Sequence, residues 1–317
     1  TLLLVKPQPS KPGRPPRQDD MRAPRVVVAQ FDASDGATEY GRRRALAACL
    51  LAIDEAASAG ADLVVLPEYS SGWEPRLVPE LAQREDGPFL HSIRERAAQA
   101  GIAVVVGMVA AGGAPGRATN ITWAISRAGE LLGSYTKVHL YDAYGTKESD
   151  LLDAGDPASD GAPLVVEIAL GEGNPDLLVG IATCYDLRFP ESLRALYPEP
   201  GGEFSGLAPD LMVVGAAWAA GPGKAEQLRI LAAARAIENT THLALASQSG
   251  QGRVGGSAVF DPRGVAISEV SSQGQRGAQV RIAVADLDRE LMAEVREASP
   301  VLAHRRYRVE AISRATL

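Results

Sequence analysis

Cysteine is scarce in this 317-residue chain, which has only Cys49 and Cys184. Two thiols make no disulfide framework, and without a CxxC pair they offer no metal site, so a reducing, cytoplasmic compartment is expected. Long apolar runs are missing too. None approaches the ~18 residues of a membrane span, and LLLV at 2–5 is shorter than the ~7 apolar residues of a secretion signal, so no membrane partner is expected. Positive charge is in deficit: 32 Lys and Arg face 39 Asp and Glu, a net charge of −7, which argues against a nucleic-acid partner. What is present, 46% hydrophobic and 22% charged residues, is ordinary for a soluble globular protein. Its length allows one large domain or two.

Residues 1–20 contain five prolines and four Lys or Arg, with no apolar periodicity after Val5. They bury too little surface to offset the entropy of ordering and are expected to be a disordered extension. Met21 is read as the start of the folded body, 21–317, because the strand-like RVVVAQF follows at once. From there, short Val/Ile-rich runs alternate with amphipathic ones. Twelve runs read as strands, from RVVVAQF at 25–31 to AQVRIAVADL at 278–287; helices are predicted over 42–60, 78–101, 190–198, 223–240 and 288–298. AGGAPG, GEGNP and DPRG are hairpin signals. Strands outnumber helices and several are joined by tight turns, so the fold class is α/β with mixed sheets in one domain. The Gly/Pro-rich stretch at 198–209 reads as a surface excursion.

Within GIATCYDLRFPES, an apolar strand ends on Cys184, and Pro190 and Glu191 then open a helix. A free cysteine is more often buried packing than a nucleophile. A strand-to-helix elbow, however, exposes the thiol at a sheet edge, beside backbone N–H groups that would lower its pKa and receive an oxyanion. Cys49, inside the helical RRRALAACLLAIDEA, reads as core. A nucleophilic thiol needs a proton acceptor. The four histidines lack a supporting context, which leaves a carboxylate. Glu68 ends ADLVVLPE, where a carboxylate closing a buried strand is costly without a partner. Glu148, in YDAYGTKESD, has a solvated loop as its ordinary reading, and Lys137, ending GSYTKV, would alone be a solvated strand end. Together, strands ending in Glu, Lys and Cys bring a base, a cation and a nucleophile to one sheet edge, an arrangement suited to acyl transfer from an amide.

LVVLPEYSSGW, SYTKVHLYDAYGTKES and GIATCYDLRFPES, in that order, resemble the three signature segments of the nitrilase superfamily, the carbon–nitrogen hydrolases. VVVAQFD, AAWAAGPGKAEQLRILAAARAIENTTHLALASQ, VGGSAVFDPRG and PVLAHRRYRV extend the likeness over nearly everything from Met21 onward. The resemblance implies a four-layer α-β-β-α sandwich, usually a homodimer paired through its helices. It implies that Glu68 is the general base, Lys137 stabilises the tetrahedral intermediate, Cys184 attacks the carbonyl carbon and Glu148 positions substrate. The backbone N–H of Tyr185 would share the oxyanion, and no metal or organic cofactor is required. AEQL at 225–228 stands where many members carry His-Trp.

CYDLRFPE looks more like the branch containing omega-amidases and deaminated-glutathione amidases than like true nitrilases, so the expected substrate is a small carboxylate-bearing amide. Carbamoyl compounds or nitriles on the same triad remain the alternative, and a non-catalytic binding protein is the alternative outside the enzyme class. Arg188 either binds such a carboxylate bidentately or forms a structural ion pair with Asp186 or Glu191. Trp218 either walls the pocket or lies in the core.

Overall fold

The computed structural model describes residues 3–5, 22–171, 174–199, 208–270 and 280–312. In chain order the elements are β1 (Leu3–Val5), β2 (Arg25–Gln30), α1 (Glu39–Ser58), β3 (Leu63–Val65), α2 (Pro88–Ala100), β4 (Ala103–Ala111), β5 (Ala118–Ile125) and β6 (Leu131–Thr136). Three two-residue strands follow, β7 (Asp142–Ala143), β8 (Thr146–Lys147) and β9 (Leu152–Asp153). The second half contains β10 (Leu164–Ile168), β11 (Leu177–Thr183), α3 (Pro190–Arg194), β12 (Leu211–Ala216), α4 (Lys224–Asn239) and β13 (His242–Ser247). It closes with β14 (Ala258–Phe260), β15 (Ala266–Glu269), β16 (Arg281–Asp286) and α5 (Arg289–Ala298).

Two large mixed sheets result. The first runs β16-β2-β3-β4-β5-β6, with β9 added on β5; the second runs β1-β10-β11-β12-β13-β14-β15. In each, a parallel trio forms the centre, β2-β3-β4 and β11-β12-β13, and antiparallel hairpins extend it. All three hairpin signals join antiparallel neighbours: β4 to β5, β10 to β11 and β14 to β15.

The strands' near-continuous apolar runs follow from burial on both faces. Val26, Val28, Leu63 and Val65 of the first sheet meet Val166, Val179, Ile181 and Val213 of the second across the middle of the molecule. On the outer face of the first sheet, Val27, Val64 and Val104 lie under Ala45, Cys49 and Ile53 of α1 and Leu90 and Ile93 of α2. On the opposite side, Met212, Val214 and Leu243 lie under Leu193 of α3 and Leu228 and Ala232 of α4. The layers are therefore α-β-β-α, with each fully buried Val or Leu contributing ~1.5–3 kcal/mol. Cys49 is fully buried, and burial pushes its thiol up to about 12, which fits a packing residue.

The structure differs from the sequence expectations in three places. Leu3–Val5, inside the segment expected to be disordered, form β1 beside β10, with the Leu3 N–H donating to the Pro163 carbonyl at 3.0 Å. The sheet edge supplies the hydrogen bonds that those three residues cannot make alone; the rest of 1–20 lies outside the described residues. The helix predicted over 78–101 begins only at Pro88, after Gly87 breaks it, and upstream just Pro79–Leu81 form a 3-10 turn. The 190–198 helix shrinks to Pro190–Arg194. Most of the 198–209 stretch falls outside the described residues, among which no helix is long and apolar enough to cross a membrane.

Candidate active site

The parallel strands place the chemistry, because β3, β6, β11, β12 and β13 all point their C-terminal ends toward one edge of the sandwich, the usual location of sites in such sheets. Glu68 lies just past β3. Its backbone is held between the sheets by two glycines: a Cβ on Gly107 of β4 would stand 3.0 Å from the Glu68 Cα, and one on Gly215 of β12 would stand 3.0 Å from the Glu68 N. Gln248, after β13, donates its side-chain amide to the carbonyls of Glu68 at 2.7 Å and Tyr69 at 3.1 Å. Tyr69 itself takes a left-handed φ of 57°, which turns the chain sharply after the carboxylate.

The Glu68 side chain, 1% exposed, is fully engaged. Oε1 accepts from Lys137 Nζ at 2.8 Å and Asn120 Nδ2 at 2.7 Å, and Oε2 accepts from the Ala217 N–H at 2.8 Å. Lys137 follows β6 and is completely buried. Its ammonium also donates to both oxygens of Glu148, at 2.8 and 3.1 Å. Glu148 is fixed in turn by the Tyr69 hydroxyl at 2.6 Å and the Tyr141 N–H at 2.8 Å. Burial alone would lower the Lys137 pKa, but the flanking Glu148 and Glu68 carboxylates outweigh it and hold the ammonium well above its ordinary value. A charged lysine between two carboxylates thus sits where an uncompensated charge would be prohibitive.

Cys184 begins a 3-10 turn, Cys184–Arg188, directly after β11 and adopts a left-handed φ of 45°. Asp186 holds the elbow: its Oδ2 accepts from the Thr183 N–H and from the Tyr135 hydroxyl, both at 2.9 Å, and its Oδ1 pairs with His139 Nδ1 at 2.7 Å. His139 stacks on Phe189 with ring centroids 3.7 Å apart. The expectation that the elbow lowers the thiol pKa is overturned. Burial and the negative Glu68 push Cys184 well above its ordinary value, and the opposing effect of Lys137 is smaller. Cys184 is therefore held as a protonated thiol beside the Glu68 carboxylate.

Glu68, Glu148 and Cys184 open onto one cleft, above the buried Lys137. The cleft measures about 40 Å³, room for roughly three waters. Tyr185 and Trp218 line it, Trp218 also packing in the apolar layer beneath α3 and α4; Arg188 does not line it. Its Nη2 instead donates to Gln227 at 2.8 Å, within the AEQL segment, and its guanidinium lies 5.0 Å from the Trp218 ring centroid. Neither ion pair considered for it, with Asp186 or Glu191, forms. A separate cavity of about 850 Å³, lined by His139, Asp186, α3 and the 309–312 tail, does not reach the triad.

Several site residues escaped the sequence reading. Asn120, Tyr69, Trp73, Tyr141, Lys224 and Arg253 all contact or line the triad's surroundings. One available signal was the loop after HLALASQ, because it follows the third parallel strand of the second sheet and carries Arg253 to the same end as Cys184.

Comparison with known proteins agrees with this geometry. The carbon-nitrogen hydrolase family model matches residues 33–297. The chain is 34% identical over 262 residues to the deaminated glutathione amidase of Escherichia coli O157:H7, covering 82% of this chain and 90% of that one. It is 30% identical over 294 residues to an omega-amidase of Xenopus tropicalis, covering 89% and 95%. Among solved structures, a mutant of the amidase from Nesterenkonia sp. AN1, which has the acetamide moiety of fluoroacetamide added covalently at its active-site cysteine, superposes with a TM-score of 0.66 at 26% identity, covering 93% and 97%. With sandwich, cleft and family match in agreement, the chain belongs to the carbon–nitrogen hydrolase family.

Proposed function

We propose that this protein is an amidase that hydrolyses the C–N bond of a small carboxylate-bearing amide through a thioester on Cys184, releasing ammonia. The observation that carries the reading is the buried Glu68–Lys137–Glu148 cluster beside a cysteine at a strained elbow. Two carboxylates around one ammonium place a proton acceptor beside the thiol, and their negative charge keeps Cys184 protonated until Glu68 takes the proton as sulfur attacks.

Glu68 accepts the Cys184 proton as Sγ bonds to the amide carbon, and the carbonyl π pair moves to oxygen. The oxyanion is held by the Lys137 ammonium and the Tyr185 N–H, which stands in the first turn of the 3-10 helix where no intrahelical acceptor exists. Collapse expels the amine, which takes the proton from Glu68 and leaves as ammonia. Water then gives a proton to Glu68 and attacks the thioester, and Cys184 leaves and recovers that proton. Glu148 keeps Lys137 charged and in place. Every step uses water and groups of the chain itself, so the mechanism calls for no metal or cofactor. Amidase names among the relatives favour an amide, and the small cleft favours a slender one. The same reading carries a cytoplasmic homodimer pairing through α3 and α4, as the family resemblance implies.

The test is a side-by-side assay of 2-oxoglutaramate, deaminated glutathione, an N-carbamoyl amino acid and a simple nitrile, with intact-mass detection of the acyl-enzyme. Turnover of the two amides with a mass increment on Cys184 is expected. Preference for the nitrile or the carbamoyl compound would overturn the amidase reading and leave the triad standing.

A further inference from the structure

Three carboxylates line the cleft, and all are engaged. Glu68 and Glu148 hold Lys137, and Glu74 accepts from the Ala37 N–H at 3.0 Å. Two cations in the same cleft, Arg253 and Lys224, form no ion pair among the described residues, and each rests on an aromatic face instead. The Arg253 Cζ lies 3.5 Å from the centroid of Trp73, and the Lys224 Nζ lies 3.5 Å from that of Tyr144.

Arg253 is held rigidly. Its loop is tied to the segment after β12 by hydrogen bonds from the Val254 N–H to the Trp218 carbonyl at 3.1 Å and from the Ala220 N–H to the Gly252 carbonyl at 2.9 Å. Its Nη1 donates to the Gly252 carbonyl at 3.0 Å, while its Nε is buried and has no acceptor. A buried donor left unmade is expensive, so this one marks a place where an acceptor belongs. The Nε–Nη2 edge of a guanidinium presents two parallel N–H bonds, a geometry that matches a carboxylate.

We propose that the Nε–Nη2 edge of Arg253 receives the carboxylate of the substrate, with Lys224 at the cleft mouth as a second positive charge, and so sets the preference for acidic amides. The assignment rests on the amidase reading above and gives the carboxylate a different receptor from Arg188, which is engaged with Gln227 and Trp218.

The test has two arms. In the first, steady-state kinetics compare glutaramate with valeramide, which has a methyl group in place of the carboxylate. Arg253→Gln is expected to reduce the glutaramate-to-valeramide ratio of kcat/KM by roughly 10- to 100-fold, the size of a lost charge-assisted pair, with the change mainly in KM. Arg253→Lys should fall between, and Arg188→Gln should move the ratio less than about threefold, since it breaks no carboxylate contact. In the second arm, calorimetry measures glutarate binding to the Cys184→Ala protein with and without Arg253→Gln, a readout that needs no turnover; binding should weaken at least about tenfold. Glutarate binding that depends on Arg253 in a protein hydrolysing neither amide would uphold this proposal and refute the amidase reading. Amide turnover with an unchanged ratio in Arg253→Gln, or a ratio that collapses in Arg188→Gln instead, would overturn it.

Discussion

Cys184 combines a left-handed backbone with a Cβ, a conformation that costs an L-residue about 1–2 kcal/mol and persists at functional sites because the surroundings impose it. Cys184→Ala should therefore abolish turnover and remain folded, while Cys184→Gly, equally inactive, should unfold at higher urea than Cys184→Ala because glycine tolerates that φ. Retained amide hydrolysis in the alanine variant would remove the thiol from the mechanism. Glu68 and Lys137 share a hydrogen bond and, in the proposed mechanism, serve the same transition state as base and oxyanion partner, so Glu68→Gln and Lys137→Ala should each lower kcat by orders of magnitude while the double variant is little worse than either alone. Additive losses would show independent action. These residues were legible in the sequence because each interrupts or ends an apolar run where a polar group needs a reason. Arg253 had no such contrast: it is isolated among glycines, and only the third dimension gives it an aromatic bed and a buried Nε without a hydrogen-bond partner.

At the level of elements, the Cys184 elbow depends on Asp186. Its two oxygens tie the start of the 3-10 turn to Tyr135 of β6 and to His139, so one carboxylate fastens the Cys184 strand to the strand that carries Lys137. Asp186→Ala leaves a buried N–H and a buried hydroxyl without an acceptor and should lower stability by about 2–4 kcal/mol in urea titration, with kcat falling more than KM rises. Asp186→Asn, which retains one acceptor oxygen, should lose clearly less of both; equal losses would mean that packing alone sets the elbow. The strands themselves were readable from their Val/Ile runs, and the α4 helix from its 3.6-residue period. The 78–87 stretch misled because its apolar spacing continues across Gly87 and Pro88, where backbone geometry overrides pattern. The strand at Leu3–Val5 was unreadable, because its partner β10 lies about 160 residues away and three residues carry no periodicity of their own.

For the molecule as a whole, His242 gives a pH signature. Burial lowers it from 6.5 to about 4, outweighing the opposing effect of the Asp210 backbone. Between those values the unfolded chain binds the proton that the folded one refuses, so this contribution to stability is complete above pH 6.5 and is lost as the pH falls toward 4. The loss cannot exceed about 3.5 kcal/mol. Urea midpoints at pH 7, 5.5 and 4.5 should fall less steeply for His242→Leu than for the wild type; parallel curves would refute the assignment. Light scattering at micromolar concentration addresses the proposed dimer, for which a monomeric mass would be fatal.

The proposed base Glu68 and the Lys137 ammonium stand on the first sheet, whereas the Cys184 thiol and the backbone N–H of Ala217 that steadies Glu68 stand on the second. Neither half of the sandwich contains a working proton relay. During refolding, then, secondary structure and even each sheet's helical cover can form while catalysis stays silent, and activity returns only when the two sheets dock face to face. Recovered turnover after dilution from urea should lag behind the far-ultraviolet signal and coincide with burial of the central apolar layer. Enzymatic rate thereby becomes a clock for a single late event, the closing of the seam.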